Sequence, residues 1–235
     1  MFEIKKQSKI SLARLGQLKT NHGVIETPFF MPIGTKASVK SLDSQDIKNL
    51  GAQIVLSNTY HLYLQPGLKI LRKFKGLHNF MNWNGPILTD SGGYQVFSLG
   101  KMRTIKNNGV EFCSFLDGLK HLFTPEKVQE IQDIIGSDIK MVLDVCSPYP
   151  CSKKQANQDM ALTHLWAERA LKYHKKSKSN QMLFGIVQGS TFKDLRLKSV
   201  KFLSKLNFGG LAIGGLAVGE SNEKLYQVLE TIIFI

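Results

Sequence analysis

Five short apolar runs, each followed closely by a polar or glycine residue, constrain the fold of this chain most strongly. The runs cover residues 54–56, 87–88, 141–143, 183–187 and 211–213, and they lead towards Ser57, Asp90, Asp144, Gln188 and Gly214. Such runs are typical of parallel strands that are buried on both faces. A sixth run over residues 28–33 is a weaker strand candidate, because its two prolines cannot donate to a central ladder.

Four helices are predicted between or after these runs, from cap residues and from apolar side chains at helical spacing. They start after Thr124, at residue 153, after the capping-box pair Thr191 and Asp194, and after Ser221. The alternation predicts an α/β fold with a parallel sheet. Polar residues at successive strand exits are typical of a TIM-type (β/α)8 barrel, here incomplete, with about six of eight strands. A doubly wound sheet is the alternative, although no G-x-G-x-x-G or Walker-type loop occurs.

Residues 100–123 interrupt this alternation. Asn107-Asn108-Gly109 and Asp117-Gly118 are turn signals, so we predict a hairpin inserted near residues 100–123. No linker-like segment divides the chain into parts. The sequence therefore predicts a single partial barrel domain over residues 1–235.

Charge and composition limit the partners and the compartment. The chain has 31 Lys and Arg against 18 Asp and Glu, a formal charge of +13, which favours a polyanionic partner such as nucleic acid. Most of this charge is lysine, and a compositional bias of the genome is the alternative explanation. No stretch reaches the roughly 20 apolar residues of a membrane span, and no signal sequence is recognisable, so we expect a cytoplasmic protein. The three cysteines include no C-x-x-C pair, so they predict neither a disulfide framework nor a self-contained zinc knuckle.

A carboxylate follows the second apolar run, in the segment Thr89-Asp90-Ser91-Gly92-Gly93-Tyr94-Gln95-Val96-Phe97. Asp90 stands where a parallel-sheet enzyme holds a reacting group. Gly92 and Gly93 let the backbone turn sharply or approach a flat ligand, and the Tyr94 ring can cover such a ligand. The alternatives are a turn with a capping aspartate at Asp90 and a core position for Tyr94.

Polar groups from other strand exits are expected at the same mouth as Asp90. These groups are Asp144, Gln188 and the backbone of Gly214-Gly215. A carboxylate can accept paired N–H groups from a guanine-like edge, while Gln188 or a backbone N–H donates to its carbonyl. The set therefore predicts a site for a flat heterocycle. The alternatives are a cap or lysine partner for Asp144 and a simple turn at Gln188-Gly189. His61, which follows Asn58-Thr59-Tyr60, is more typical of a structural histidine than of a catalytic one.

Several ordered motifs together closely resemble the bacterial tRNA-guanine transglycosylase family. They are residues 89–99, Asp144-Val145-Cys146-Ser147-Pro148-Tyr149-Pro150, Phe184-Gly185-Ile186-Val187-Gln188-Gly189 and Gly214-Gly215-Leu216-Ala217-Val218-Gly219-Glu220. Shorter agreements include Ser57-Asn58-Thr59-Tyr60-His61-Leu62 and Gly136-Ser137-Asp138-Ile139. The resemblance runs from near the amino end to about Leu229.

The resemblance implies a cytoplasmic transferase that exchanges an anticodon guanine of tRNA for a 7-deazaguanine, preQ1 or queuine, in queuosine biosynthesis. It implies that Asp90 is the general acid/base. Asp144, Gln188 and the Gly215 backbone would hold the base edge, Tyr94 would stack on it, and Ser91, Gly92 and Gly93 would shape the pocket. Retaining exchange also needs a carboxylate nucleophile that forms a covalent ribosyl-enzyme intermediate.

The chain departs from the family pattern in four respects. In the family, the nucleophilic aspartate lies in a strand later than those predicted for this chain. The family's zinc subdomain, with three cysteines and a histidine, lies later still. We therefore expect no metal in this chain, zinc in complete members, and no base exchange by this chain in isolation. The sequence over 231–235 does not continue the family pattern, and Val145 replaces a glutamate that is usual in the family, which bears on base selectivity.

Two alternatives to an exchange enzyme stay open at this stage. One is a truncated, inactive relic that at most binds a purine-like base or RNA. The other is a carboxylate-based glycosidase, which Gln188 and Gly215 disfavour because they suit a planar base better than a sugar ring. The preferred deazaguanine is undetermined, and a homodimer is one option for the oligomeric state.

Overall fold

The computed structural model describes residues 2–98 and 103–233. Leu99 of the glycine-rich motif, residues 100–102 of the predicted hairpin and the last two residues of the apolar tail lie outside the described residues. The fold is mixed α/β and contains a five-stranded parallel sheet. No closed barrel is present within the described ranges. None of the helices there has the length and apolar character needed to span a bilayer.

Eleven strands and nine α-helices occur in the described ranges. The strands are β1 (Phe2–Gln7), β2 (Arg14–Thr20), β3 (Gly23–Thr27), β4 (Val55–Ser57), β5 (Ile87–Thr89), β6 (Arg103–Lys106), β7 (Gly109–Cys113), β8 (Lys120–Phe123), β9 (Ile139–Met141), β10 (Met182–Val187) and β11 (Gly210–Ile213). The helices are α1 (Ser44–Asn49), α2 (Thr59–Leu62), α3 (Leu68–Lys73), α4 (Leu77–Met81), α5 (Gly93–Ser98), α6 (Pro125–Ile135), α7 (Lys153–Ser177), α8 (Lys193–Leu203) and α9 (Asn222–Ile232). A π-helical turn, Tyr63–Gly67, connects α2 to α3.

The chain divides into two compact units. The first unit comprises residues 2–90 and 130–140 of the described chain. Its amino-terminal part is an antiparallel sheet in the order β1-β2-β3, in which buried Leu18 pairs with buried Ile25. Its other strands, β4, β5 and β9, are parallel, and β5 pairs with both of the others. The residues of β5 are buried throughout, which explains why its sequence is continuously apolar up to Thr89.

The second unit comprises residues 91–98, 103–129 and 141–233 of the described chain. Residues 103–123 form the antiparallel strands β6, β7 and β8 where a hairpin is predicted. Parallel strands β10 and β11 pair along their length, from Phe184 opposite Gly210 to Val187 opposite Ile213. Helix α7 buries Trp166, whose indole N–H donates to the carbonyl of Asn107 at 2.8 Å.

The strand predictions are confirmed for the runs that became β4, β5, β10 and β11. The apolar run at 141–143 overlaps its strand only at Met141, the last residue of β9. The next residue still contacts the neighbouring strand, because the Val142 N–H donates to the Phe184 carbonyl at 3.1 Å. The sixth predicted strand at 28–33 is wrong. Only Ile33 makes an isolated parallel bridge there, to Leu56, because prolines at 28 and 32 remove the N–H groups that a ladder needs.

The helix predictions are confirmed in position, but one cap is wrong. Helix α6 begins at Pro125 with the Thr124 hydroxyl accepting the Lys127 N–H, and Ser221 caps α9. The predicted capping box at Thr191 and Asp194 does not form, because α8 begins after Phe192 without a side-chain cap. Asp194 instead pairs with Lys153 at 2.9 Å.

Candidate functional site

Asp90 lies in the first unit, one residue beyond the end of β5. Its Oδ2 accepts from the Asn58 amide at 2.5 Å, and its Oδ1 accepts from the Thr59 N–H at 2.9 Å. The Thr59 hydroxyl also donates to the Asp90 carbonyl at 2.6 Å. The half-buried carboxylate is therefore fixed by the polar exit of β4. The sequence signal for these partners was the motif Ser57-Asn58-Thr59, to which no role was assigned.

Asp144 lies in the second unit, three residues beyond the end of β9. The Ser91 hydroxyl donates to Oδ1 of Asp144 at 2.9 Å, and the Gln188 amide donates to Oδ2 at 2.7 Å. Ser91 in turn accepts the Gly93 N–H at 3.0 Å. Two buried polar side chains thus orient one half-buried carboxylate from both sides. These contacts differ from the local cap and the lysine partner that were the alternatives for Asp144.

The orientation of Gln188 follows from its partner. A carboxylate only accepts hydrogen bonds, so the atom of Gln188 that faces Asp144 must be the nitrogen. Its oxygen, Oε1, is then buried without a hydrogen-bond partner among the described residues. A buried amide oxygen without a donor is costly, by about 1–3 kcal/mol. A ligand N–H placed at this oxygen would remove the cost.

Bare backbone surrounds these two side chains. A Cβ on Gly93 would lie 2.6 Å from Oδ1 of Asp144, and a Cβ on Gly214 would lie 2.8 Å from Nε2 of Gln188. Gly215 has φ +61°, and a Cβ there would collide with Oε1 of Gln188. Only glycine leaves the backbone N–H and C=O groups this close to Asp144 and Gln188. The glycines predicted from the sequence are therefore brought together with the polar residues of the second unit.

Arg196 holds the Gly214-Gly215 segment, and sequence reasoning missed it. This fully buried guanidinium donates to the carbonyls of Gly214 at 2.6 Å and Gly215 at 3.0 Å. It also donates to the carbonyls of Ser190 at 2.6 Å and Val187 at 3.0 Å. Burial lowers its pKa to about 10, so the group stays charged at neutral pH. The only sequence signal was an isolated arginine in the helix that follows Gln188-Gly189.

Glu220 organises the next part of the same loop. Its carboxylate accepts from the N–H groups of Ala217 and Val218, the second at 3.0 Å. Burial raises the pKa of Glu220, but these N–H groups and the charge of Arg196 outweigh burial and lower it overall. The loop needs this support because Ala217 has a positive φ of 58°. Glu220 therefore fixes which backbone groups the loop presents.

Tyr94 is 53% exposed, so it is not a core residue. It follows buried Gly92 and Gly93 at the start of α5, where Gly92 has φ +77°. Its ring stacks on Phe97 with a centroid separation of 6.2 Å and an interplanar angle of 28°. The exposed aromatic face has the chemistry required to stack on a planar ligand.

The two residues that follow Asp144 are buried. The Val145 N–H donates to the Thr163 hydroxyl at 2.9 Å, so the residue that departs from the family pattern has its backbone N–H satisfied. Burial and the neighbouring Asp144 charge raise the pKa of the Cys146 thiol to about 12. Cys146 is therefore an unreactive thiol at neutral pH. His61, the other residue considered, has its pKa lowered by burial and by Lys36.

The cysteines do not form a metal site in the described ranges. Cys113, Cys146 and Cys151 are all free, and none belongs to a group with metal-ligand spacing. The residues present therefore do not fit the zinc set of three cysteines and a histidine that the resemblance implies. One group of potential ligands does occur among the described residues, formed by His22, His78 and Asp138 of the first unit.

The second unit thus combines an oriented carboxylate, a buried amide with an unpaired oxygen, bare glycine backbone and an exposed ring. This is the chemistry of a class of sites that bind planar, hydrogen-bonding heterocycles.

Comparisons with known proteins identify the family of the chain. The model of the family described as queuine tRNA-ribosyltransferase matches residues 8–234.

Curated relatives agree with this match. Proteins named queuine tRNA-ribosyltransferase from Desulforamulus reducens and Desulforudis audaxviator are each 54% identical, over 98% and 99% of this chain. A third, from a Thermoanaerobacter species, is 55% identical over 97% of the chain. The alignments cover 62%, 62% and 60% of these relatives, so the chain spans about three fifths of their length. The chain belongs to the queuine tRNA-ribosyltransferase family.

Proposed function

We propose that this chain carries the base-recognition site and the general acid/base of a tRNA-guanine transglycosylase. The reaction exchanges an anticodon guanine for a 7-deazaguanine, preQ1 or queuine, in queuosine biosynthesis. The family match and the identity of about half of all residues support this activity. The five parallel strands are compatible with part of a (β/α)8 barrel, which we propose as the architecture of the complete domain.

The observation that carries the proposal is the pairing of Asp144 with Gln188. Guanine presents two adjacent N–H donors and a carbonyl on one edge. The carboxylate of Asp144 suits the donors, and the second amide N–H of Gln188 or the Gly215 N–H suits the carbonyl. The buried Oε1 of Gln188 calls for a further N–H donor, which an amino-bearing base supplies. A sugar hydroxyl ring would offer neither the planar edge nor the matching donor pair.

The remaining pocket residues complete recognition. Tyr94 stacks on the face of the base, and base–aromatic stacking contributes about 1–3 kcal/mol. Ser91 orients the carboxylate of Asp144, while Gly92 and Gly93 keep the approach to it open. Gly215 contributes backbone groups whose direction is set by Arg196.

Asp90 is the proposed general acid/base. When the bond between ribose and guanine breaks, its protonated form donates to the departing base, and its carboxylate later removes a proton from the incoming base. A second carboxylate attacks the anomeric carbon and holds the ribose between these steps. The family pattern places that nucleophile in a strand later than those described. Zinc is likewise expected in this family, on ligands that are not among the described residues.

The polyanionic partner is proposed to be tRNA, bound through its anticodon region. The formal charge of +13 supports association with a phosphate backbone, mainly through lysine. The same proposal places the protein in the cytoplasm, where tRNA is modified. A homodimer stays a prediction.

Base binding tests the proposal directly. We expect the chain to bind guanine or a 7-deazaguanine in an isothermal titration, and Asp144→Asn to weaken binding by about tenfold or more, because hydrogen bonds to a charged group contribute about 1.5–3 kcal/mol. Gln188→Leu should also weaken it. Gln129→Leu is the matched control, since Gln129 is a buried glutamine whose Oε1 likewise has no hydrogen-bond partner among the described residues. Equal affinities for all three variants and the original chain would refute the proposed pocket.

A further inference from the structure

The motif Gly136-Ser137-Asp138-Ile139 takes no part in the proposed function, yet its aspartate is the centre of a histidine cluster. Asp138 lies between His22, from the turn that joins β2 to β3, and His78 of α4. We propose that His22, His78 and Asp138 form a binding site for one divalent transition-metal ion of the zinc type. The site belongs to the first unit and uses none of the residues of the proposed base pocket.

The distances fit one small cation. Nδ1 of His22 lies 2.9 Å from Oδ1 of Asp138, and Nε2 of His78 lies 3.3 Å from Oδ2. The potential ligand atoms of the three residues all lie within 4.8 Å of one another. Ligand atoms around tetrahedral zinc are about 3.3 Å apart, given bond lengths of about 2.0–2.2 Å. Only small side-chain movements are therefore needed to place an ion among them.

His78 provides a second, independent indication. Its Nε2 is buried, but its geometry towards Asp138 does not meet that of a hydrogen bond, and it has no hydrogen-bond partner among the described residues. The His22 and His78 rings are stacked, with centroids 3.7 Å apart and planes at 20°. Stacking turns both imidazoles towards the same carboxylate. A cation there would accept the Nε2 lone pair that now lacks a partner.

Backbone donors already orient the carboxylate of Asp138. Backbone N–H groups of His22 and Ile87 donate to Oδ1 and Oδ2 of Asp138 at 3.0 and 2.9 Å. Such outer hydrogen bonds commonly orient carboxylates that ligate metals.

Exposure and ligand type narrow the choice of ion. The side chain of His22 is 40% exposed, so an ion can enter from that side and keep a water as its fourth ligand. Two neutral imidazoles and one carboxylate suit Zn²⁺, Co²⁺ or Ni²⁺, whereas Mg²⁺ and Ca²⁺ prefer oxygen ligands only. The ligands also differ from the three cysteines and one histidine that the family resemblance implies, so the site would be additional to that zinc.

The position in the first unit indicates a structural role. Ile87 is the first residue of β5 and Asp138 immediately precedes β9, so the cluster lies at the amino ends of these parallel strands. Asp90, in contrast, follows the carboxyl end of β5. In parallel α/β folds, reacting groups gather at carboxyl ends, and the amino ends contribute to stability. The ion would connect three segments that are far apart in sequence.

Metal titration of the chain tests the site. The chain is stripped with a chelator and titrated with Zn²⁺ in competition with a chromogenic chelator, and with Co²⁺ by visible absorption. We expect one tightly bound equivalent, a higher unfolding temperature with Zn²⁺, and a Co²⁺ spectrum without thiolate bands. His22→Gln and His78→Gln should each weaken Zn²⁺ binding by about tenfold or more. His22 is partly exposed, so its variant is expected to keep the fold, which circular dichroism verifies.

Two controls separate this site from other ligands. His121→Gln changes a histidine of β8 outside the cluster, and the double variant Cys113→Ser, Cys151→Ser removes the two less buried thiols. Both are expected to retain one equivalent of Zn²⁺. The proposal is overturned if the original chain takes up no Zn²⁺ at micromolar concentration. It is also overturned if the His22 variant binds as tightly as the original chain, or if removal of the two thiols abolishes binding.

Discussion

Asp138 and Asp144 lie on either side of the same short strand, β9, but their surroundings differ. Asp138 precedes the strand, is fully buried, and is contacted by two imidazoles and two backbone N–H groups. Asp144 follows the strand, is half-buried, and is held by a hydroxyl and an amide. The first environment surrounds a buried carboxylate with imidazole rings and backbone N–H groups. The second fixes a carboxylate and leaves beside it bare backbone and an amide oxygen with no hydrogen-bond partner in the part of the chain that the structure describes, as the proposed ligand site would require.

This difference predicts that changes around Asp138 affect stability, whereas changes around Asp144 affect base binding, with one exception. The exception is Arg196, a buried charged residue that supports the base pocket, so its substitution should affect both stability and base binding.

The largest expected effect is that of Arg196→Met. The substitution removes the guanidinium donor from four carbonyls, two of them on the buried residues Val187 and Ser190, so we expect the free energy of unfolding to fall by about 4 kcal/mol or more, and base binding to be lost. Urea unfolding measures the first effect and calorimetric titration the second. Lys198→Met, an exposed position on the same helix, should change stability by less than about 0.5 kcal/mol. If Arg196→Met behaved like this control, the guanidinium would not support the pocket.

Asp138→Asn is expected to have the next largest effect, and only above acidic pH. The pKa of Asp138 is lowered to about 2, below the value near 3.9 of an unfolded chain. Its ionised form therefore stabilises the fold above pH 4, by about 2 kcal/mol, and this contribution is lost as the pH falls through 2. Chemical unfolding from pH 6 to 2 should show the original chain and the variant converging at the acid end. A constant difference across this range would contradict the assigned pKa, and base binding should be unchanged at pH 7.

Tyr94→Ala tests the ligand side of the comparison. Because the ring is half exposed, its loss should leave the free energy of unfolding nearly unchanged. Loss of stacking should weaken guanine binding by about tenfold, in keeping with about 1–3 kcal/mol per stacked base. Tyr226→Ala removes another exposed tyrosine, from α9, and should leave affinity unaltered. A large loss of stability without loss of binding would show that Tyr94 is structural.

The smallest expected effect is that of Ser91→Ala. Asp144 would lose the Ser91 donor but keep Gln188, so base affinity should fall by about fivefold, equivalent to about 1 kcal/mol. Ser98→Ala is the comparison, because this exposed hydroxyl donates to the Gln95 carbonyl nearby. No change in affinity for Ser91→Ala would mean that the Ser91 hydroxyl is not needed to orient the carboxylate.

Much of the local structure could be predicted from the sequence. The apolar runs that became β4, β5, β10 and β11 were recognisable because a strand buried on both faces must be apolar throughout. The predicted capping box before α8 does not form, because the Asp194 carboxylate pairs with Lys153, which belongs to helix α7. The strand at 28–33 failed because apolar character alone does not provide the N–H groups of a ladder. The amino-terminal sheet β1-β2-β3, which follows no long apolar run, was not anticipated.

The sequence predicted the polar and glycine residues of the candidate site but not the arginine that holds its backbone. Asp144, Gln188, Gly214 and Gly215 follow strand ends, and the structure gathers them in the second unit together with Ser91 and Gly93. Arg196 was missed because a buried arginine in a helix carries no local pattern. Its meaning depends on carbonyls that lie up to 19 residues away in the chain. The roles proposed for these residues stay predictions until base binding is measured.

The sequence by itself determined the alternation of strands and helices, the polar residues at the strand ends and the family to which the chain belongs. These features depend on local spacing and composition. The tertiary structure alone decided that His22 meets Asp138, 116 residues later, and that a buried guanidinium fixes the Gly214-Gly215 backbone. Hydrogen bonds and charge pairs between distant residues depend on how segments pack, because burial makes each unpaired polar group costly wherever it lies in the chain.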